Sequence, residues 1–397
     1  MFRMSSERRR NLSSRRLVCG VSVVLALGSL LVSHRAQAAD EKPAAAATEQ
    51  ETLAKIDASA QKAAAFLRQS RNKDNGWGAR GSDVGITGLV VDALARAPES
   101  IRKANQDLID DGVKYILANQ RPDGALVNKD GRVANYRTSI AARTLILIDK
   151  DKYKDAIAAA AKFVKSCQGT DSDDKGSFGG MGYGSEGGRA DTTNTAEAIE
   201  MLKQAGVPED DPVYKRAMVF LGRVQSSDEF AEPGVKTDNS GGGIYTTNHA
   251  ADEKSHQPTI KLPDGTLVMK SYGGATYALL MSQLFCGMKK DNPRVQAAYK
   301  WVCDHYTVKE HPELGRSGLY YYYYTMVRTL ELWGSPTVKQ GDTEHNWAKE
   351  LALELISQQK DNGSWVNAQD RWWEGDASLV TAYGLFTLDT CRSMLTR

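Results

Sequence analysis

FVKSCQGTDSDDKGSFGGMGYGSEGGRADTTNTAEAIEML, residues Phe163 to Leu202, is the stretch whose reading decides the fold. A helix end is closed by Gln168. A Gly-rich turn with an aromatic follows, and then Asp191 opens a second helix. The same order of features recurs along the chain. Phe66, Leu67 and Gln69 lead through Asn75-Gly76-Trp77 to Asp83; Tyr115, Ile116 and Gln120 lead through Gly124 to Tyr136. Phe220, Leu221 and Gln225 lead through Gly242-Gly243-Ile244-Tyr245 to Ser271, and Leu355, Ile356 and Gln359 lead through Gly363-Ser364-Trp365 to Asp376. A degenerate copy, Trp301-Val302 with Gly318-Leu319-Tyr320, lacks the Gln. That makes six tiles at a period of roughly 50 residues, the mark of a repeat architecture.

Each tile reads as a helix pair. The first members are amphipathic, over Leu53–Arg68, Gln106–Asn119, Lys154–Ser166, Val213–Arg223, Pro293–Asp304 and Trp347–Ser357. One polar face suits an outer, solvated ring. The second members are more evenly apolar, over Ile86–Ala95, Ser139–Ile148, Thr195–Leu202, Ala275–Phe285, Met326–Trp333 and Leu379–Leu388. Such helices are expected to be buried on all sides. Six outer and six inner helices in alternation predict an all-α fold, an (α/α)6 toroid over residues 52–397. Repeat four carries an insertion, about 226–270. In it Thr259–Leu262, Pro263-Asp264-Gly265 and Thr266–Met269 read as a small β-hairpin, placed by the connectivity as a flap over one mouth or as a decorative loop.

The rest of the chain is ordinary: 397 residues, 41% hydrophobic and 25% charged. Residues 1–38 read as an export signal, with a basic start (Arg8, Arg9, Arg10, Arg15, Arg16), an apolar Leu17–Val32 and Ala36-Gln37-Ala38 as the cleavage site. A periplasmic or extracellular protein is therefore expected, with residues 39–51 as a flexible tether. Removing the leader takes seven Lys/Arg and one Glu, turning a net charge of +2 into −4. That balance gives no reason to expect nucleic acid as a partner. Beyond the leader no apolar run is long enough to span a membrane. Cys167, Cys286, Cys303 and Cys391 have no CxxC spacing and read as free core thiols.

The helix–Gln–Gly–aromatic tile resembles the QW repeat of squalene and oxidosqualene cyclases and the related repeats of protein prenyltransferase β-subunits. The resemblance spans roughly Leu53 to Cys391. It implies a toroid with a central cavity for an apolar, isoprenoid-like ligand. In protonating triterpene cyclases of this family an Asp-x-Asp-Asp-Thr motif opens an inner helix, and its middle Asp is the acid. The matching residues here are Asp191-Thr192-Thr193-Asn194-Thr195, with Thr193 at the acid's place and Asn194 at that of the last Asp. Asp171-Ser172-Asp173-Asp174 matches as a string but sits directly after Gln168, where a solvated turn is expected. The prenyltransferase zinc set, an Asp and Cys with a distant His, has no copy: Cys303-Asp304-His305 falls on an outer helix. No metal and no cofactor are expected.

Three inner helices open with Asp: Asp83, Asp191 and Asp376. Repeats one and six are ring neighbours, so Asp83 and Asp376 are expected near each other at one mouth. Paired carboxylates suit acid–base catalysis; Asp is equally the residue that caps a helix N-terminus. Tyr320 to Tyr324 is an unusual run at an inner-helix start. Tyr136, Thr193, Asn194, Tyr272, Tyr320, Tyr321, Tyr324 and Trp373 are the expected cavity lining. Aromatic faces there could stabilise cations, fill a core or stack on sugars. Three functions stay open: a cyclase-like binder of an apolar ligand, with turnover undecided; a non-catalytic scaffold; and a carbohydrate-active (α/α)6 enzyme using Asp83 and Asp376. The oligomeric state is not legible.

Overall fold

The structure, a computed structural model, describes residues 48–170, 175–184, 189–229, 234–247 and 257–397. The leader, most of the tether and the Asp171–Asp174 string lie outside the described residues. Residues 47–397 form one compact unit. The outer helices are α1 (Glu49–Gln69), α4 (Gln106–Ala118), α6 (Lys154–Ser166), α8 (Pro212–Arg223), α10 (Pro293–Asp304) and α12 (Trp347–Ser357). The inner helices are α2 (Val84–Arg96), α5 (Ala134–Asp149), α7 (Thr192–Ala205), α9 (Gly273–Phe285), α11 (Leu319–Trp333) and α13 (Ala377–Leu395). A short α3 (Glu99–Ala104) was not foreseen. The inner helices pack in the order α2, α5, α7, α9, α11, α13 and back to α2, so the ring is closed. This is the expected all-α toroid of six helix pairs.

The helix starts differ from expectation. Helix α1 starts at Glu49, inside the stretch read as tether, because Thr48 and Glu51 form a reciprocal capping box. Each inner helix starts two to seven residues early, since the sequence pattern shows where apolar burial begins rather than where the cap lies.

The tile residues explain the closure. Gln168 Nε2 donates to the carbonyl of Gly179 in its own turn and to that of Val213 in the next outer helix, both at 2.9 Å. Gln225 does the same with Gly241 and Arg294 at 3.0 and 2.8 Å. Gln359 reaches Gly363 at 2.9 Å and Ser59 of α1 at 3.0 Å, which ties the last tile to the first. Gly363 itself has φ +87°, and a Cβ there would lie 2.3 Å from the Lys62 carbonyl oxygen, so only glycine lets the turn approach α1. Trp77 and Trp365, both fully buried, donate from Nε1 to the carbonyls of Leu67 and Leu355 at 2.7 and 2.8 Å. A threonine on each of five inner helices accepts the backbone N–H of the turn: Thr87, Thr138, Thr195, Thr276 and Thr381. That threonine is as regular as the Gln, and the sequence reading missed it.

The insertion forms a small sheet. β2 (Thr259–Lys261) pairs antiparallel with β3 (Leu267–Met269) across the Pro263-Asp264-Gly265 turn, as a hairpin. β1 (Lys236–Thr237) adds in parallel to β3. The strand pair carries Ile260 and Leu267 exposed and puts no residue into the central cavity's wall, whereas Tyr245, from the same insertion, lines it. A second hairpin, β4 (Val338–Gln340) with β5 (Thr343–His345), joins α11 to α12; its strands are too short to show an alternating pattern.

The inner helices are less uniformly apolar than their composition suggests. Arg143 of α5, Glu197 and Glu200 of α7 and Arg328 of α11 form a buried four-charge layer across the ring. Arg143 Nη1 lies 2.6 Å from Glu200 and Nη2 2.7 Å from the Tyr324 hydroxyl. Arg328 forks onto Glu197 at 2.7 and 3.1 Å and bonds Glu200 as well. Its guanidinium lies 4.5 Å from the Tyr324 ring centroid. Two guanidiniums cancel two carboxylates, so the layer is neutral as a set and costly to break. Arg328→Ala is expected to destabilise the fold by about 3–5 kcal/mol, because it leaves Glu197 and Glu200 buried with one guanidinium between them. Urea unfolding of the purified variant checks this; a change under 1 kcal/mol would show the layer is solvated.

Candidate functional site

All six inner helices point their N-termini to the same end of the ring, and there they enclose a cavity of about 330 Å³. Its wall is drawn from the first two turns of those helices: Ile86 and Leu89 from α2, Tyr136 and Arg137 from α5, Thr193 from α7, Gly274 from α9, Tyr321 from α11, Leu379 and Tyr383 from α13. Connecting segments supply Tyr183, Tyr245, Tyr272, His311, Trp372 and Trp373. Tyr136 and Tyr383 share a hydroxyl–hydroxyl bond of 3.0 Å, and Tyr383 packs on Tyr321 and Tyr324 at 5.9 and 4.9 Å between centroids. Burial pushes the phenols of Tyr136, Tyr272, Tyr321 and Tyr383 well above the usual tyrosine range, so all four stay neutral. One turn further along α11, Tyr324, which packs on the cavity-wall Tyr383, meets the charged layer.

The orphan N–H groups of these helix starts need partners, and the three singled-out aspartates supply them. Asp83 Oδ1 accepts from Gly85 and Ile86 at 2.8 and 3.1 Å. Its Oδ2 takes a two-pronged ion pair from Arg137, at 2.9 and 2.5 Å, whose other arm holds Asp130. Asp376 accepts from Ser378 and Leu379 at 2.9 and 3.3 Å and from the Ala79 N–H at 2.6 Å. Asp191, 2% exposed, takes the Asn194 N–H and the Thr193 hydroxyl on Oδ1, both at 2.8 Å, and the Asn194 amide on Oδ2 at 2.7 Å. Burial raises its pKa above the ordinary carboxyl range against those hydrogen bonds.

The other caps come from a distance, and the sequence reading had neither. His311, buried, accepts the Gly274 N–H on Nε2 at 2.8 Å and faces the Ser317 carbonyl through Nδ1 at 2.8 Å, which fixes the proton on Nδ1. Burial pulls its pKa down to about 4, so it is neutral. Glu374, with no exposed surface, accepts the Tyr321 N–H at 2.8 Å and the Asn367 amide at 2.7 Å and so caps α11. It follows Trp372 and Trp373, both in the left-handed region at φ 53° and 67°, a conformation that bulky residues hold only when the surroundings impose it. The Trp372 ring lies over Gly318, where a Cβ would come within 2.8 Å of it.

Of the expected lining, Tyr136, Thr193, Tyr272, Tyr321 and Trp373 are in the wall. Asn194, Tyr320 and Tyr324 are not. Asn194 turns back onto Asp191; Tyr320 turns outward to Gln358 at 3.0 Å; Tyr324 points to Arg143 below. At 100° per residue only one of five consecutive tyrosines can face the axis at the level of the cavity. Tyr322 and Tyr323 bond the carbonyls of Thr307 and Val308. Asp83 and Asp376 do line one groove, beside the cavity mouth, as their ring positions predict. Among the described residues no cluster of three or more His, Cys, Asp or Glu is placed to hold a metal ion, no helix is long and apolar enough to cross a membrane, and the four cysteines are unpaired.

Residues 80–228 match the family model of the squalene-hopene cyclase C-terminal domain. Among solved structures, a variant of the type II terpene cyclase MstE from Scytonema in complex with merosterolic acid A superimposes with a TM-score of 0.53 at 15% identity, covering 87% of this chain and 99% of that one. Another variant of the same enzyme, in complex with geranylgeranyl dihydroxybenzoate, gives 0.53 at 16% identity over the same shares. A protein from Actinoplanes gives 0.50 at 16% identity, covering 85% of this chain and 99% of that one. The fold is therefore that of a squalene cyclase-like toroid.

Burial pushes the Glu374 carboxyl up to about 7 against the hydrogen bonds that favour its charge. Its folded pKa lies above its unfolded value, so the native state binds more protons between the two. Stability from this group is full below pH ~4.5 and falls as pH rises to about 7. Glu374→Gln, which keeps an acceptor for the α11 cap, is expected to remove that fall. Unfolding midpoints from pH 4 to 8 check it; an unchanged pH profile in the variant would refute the assignment.

Proposed function

We propose that this protein binds an apolar, isoprenoid-like ligand in the central cavity, with its tail against the tyrosine wall. The observation that carries the reading is the wall itself: neutral tyrosines, tryptophans and aliphatic groups from all around a closed ring, around an enclosed volume in the range of small-molecule sites. A filled core would have favoured a scaffold. The Scytonema enzyme of the same fold is described with a geranylgeranyl substrate, which supports a ligand of that class here. Export of the mature protein through the 1–38 leader belongs to the same proposal.

The reading is of binding rather than protonation-started cyclisation. Thr193 occupies the wall where the resemblance puts a carboxylic acid, and a threonine hydroxyl is far too weak an acid to protonate an alkene. Asp83, the one carboxylate in the described wall, is held by Arg137. Asp191 lies behind Thr193 with both oxygens engaged. What remains is an apolar slot with hydroxyls at its rim, which positions a chain and supplies aromatic faces to it.

Titration with geranylgeraniol, followed through tryptophan fluorescence, tests the proposal, since Trp372 and Trp373 stand in the wall. Saturable quenching is expected. Leu89→Trp, which fills the cavity from α2, is expected to weaken binding at least about tenfold, equivalent to ~1.4 kcal/mol. Unaltered affinity in a folded Leu89→Trp protein would move the ligand out of this cavity.

A further inference from the structure

Beside the cavity mouth runs a second, larger space of about 690 Å³, and it has a different chemistry. The two spaces share Asp83, Ile86, Arg132, Arg137 and Trp373 in their walls, so the polar space adjoins the apolar one on that side. The groove's far wall is the turn around Ala79 and Ser82, the Asn119 and Asn128 amides and the start of α13. A ligand whose tail fills the cavity has its other end at this junction.

The groove is rich in acceptors. Asp74, Asp83, Asp130, Asp370 and Asp376 line it, against four cationic side chains, for a net charge of −1. Each ionised carboxylate has about four acceptor positions and no donor, and these are not used up. Asp370 accepts the Gly375 N–H at 2.8 Å and stands 3.5 Å from Arg80, with its side chain 54% exposed; Asp130, bonded to Arg137, is 44% exposed. A complementary head group must therefore bring donors. A phosphate or diphosphate brings only acceptors and two or more negative charges, which like charge in the groove disfavours. Hydroxyl groups donate to the carboxylates and accept from the amides and cations. At the junction Trp373 is 45% exposed, an apolar face with an N–H edge, which suits the C–H face of a sugar ring.

We infer that the groove is the head-group subsite of an amphiphilic ligand, an isoprenoid chain carrying a neutral polyhydroxylated head such as a glycoside. This rests on the reading of the central cavity as the tail site. The ligand then enters tail first, and the head decides which isoprenoid is retained. The carboxylates serve as hydrogen-bond acceptors, not as a catalytic pair: Asp83 and Asp376 spend their near oxygens on helix caps.

Titration calorimetry with geranylgeraniol, its β-glucoside and its diphosphate tests the subsite. The glucoside is expected to bind about tenfold tighter than the alcohol, and the diphosphate no tighter than the alcohol. Ala79→Trp puts bulk on an exposed groove wall away from the cavity and is expected to cancel the glucoside's gain while leaving the alcohol's affinity within about twofold. If the alcohol binds but the glucoside gains nothing, or the diphosphate binds tightest, the head-group assignment falls and the cavity reading stands. If the alcohol itself does not bind, the cavity reading falls first. A glucoside gain that survives Ala79→Trp in a folded protein would place the head elsewhere.

Discussion

Parallel inner helices in a closed ring bring the N–H groups of six first turns, and the positive ends of six helix dipoles, to one rim. An unpaired buried N–H is costly, so this end of the molecule must be supplied with acceptors whatever else it does. Three helices meet the demand locally, through Asp83, Asp191 and Asp376. Two meet it through residues far along the chain, His311 for α9 and Glu374 for α11. The acceptors ring the cavity because the helix starts do. A rim dense in carboxylates around an aromatic hollow thus follows from the architecture before any chemistry is asked of it.

The same geometry divides the ring's axis into levels. Residues of the first one or two turns line the cavity; residues further along meet residues from across the ring. At that depth α5, α7 and α11 place Arg143, Glu197, Glu200 and Arg328, and opposite charges satisfy each other where water is excluded. The layer touches the cavity wall only through Tyr324, which bonds Arg143 and packs on Tyr383. Near the mouth the walls are unequal: the α2–α13 side opens into the polar groove, while the α7–α9 side is closed by Tyr245 and Tyr272 from the ends of the insertion.

The sequence by itself determined the repeat, and through the repeat the ring. Gln, Gly and aromatic at fixed offsets each satisfy one local bond, so they recur wherever the turn recurs, and six amphipathic helices alternating with six apolar ones have few other ways to bury themselves. It also placed Thr193, Tyr136, Tyr272 and Tyr321 correctly at the axis, since each stands in the first turn of an inner helix or just before it. Tertiary structure alone decided the rest. Tyr320 and Tyr324 differ from Tyr321 only in helix angle and depth, which a run of identical residues cannot reveal. His311 and Glu374 cap helices they do not belong to, and the Arg–Glu layer joins three helices whose charges look isolated in the chain. Which aspartate is a cap, which is an ion pair and which is open to a ligand depends on partners brought from other repeats, because hydrogen bonds and charges are settled by distance in space.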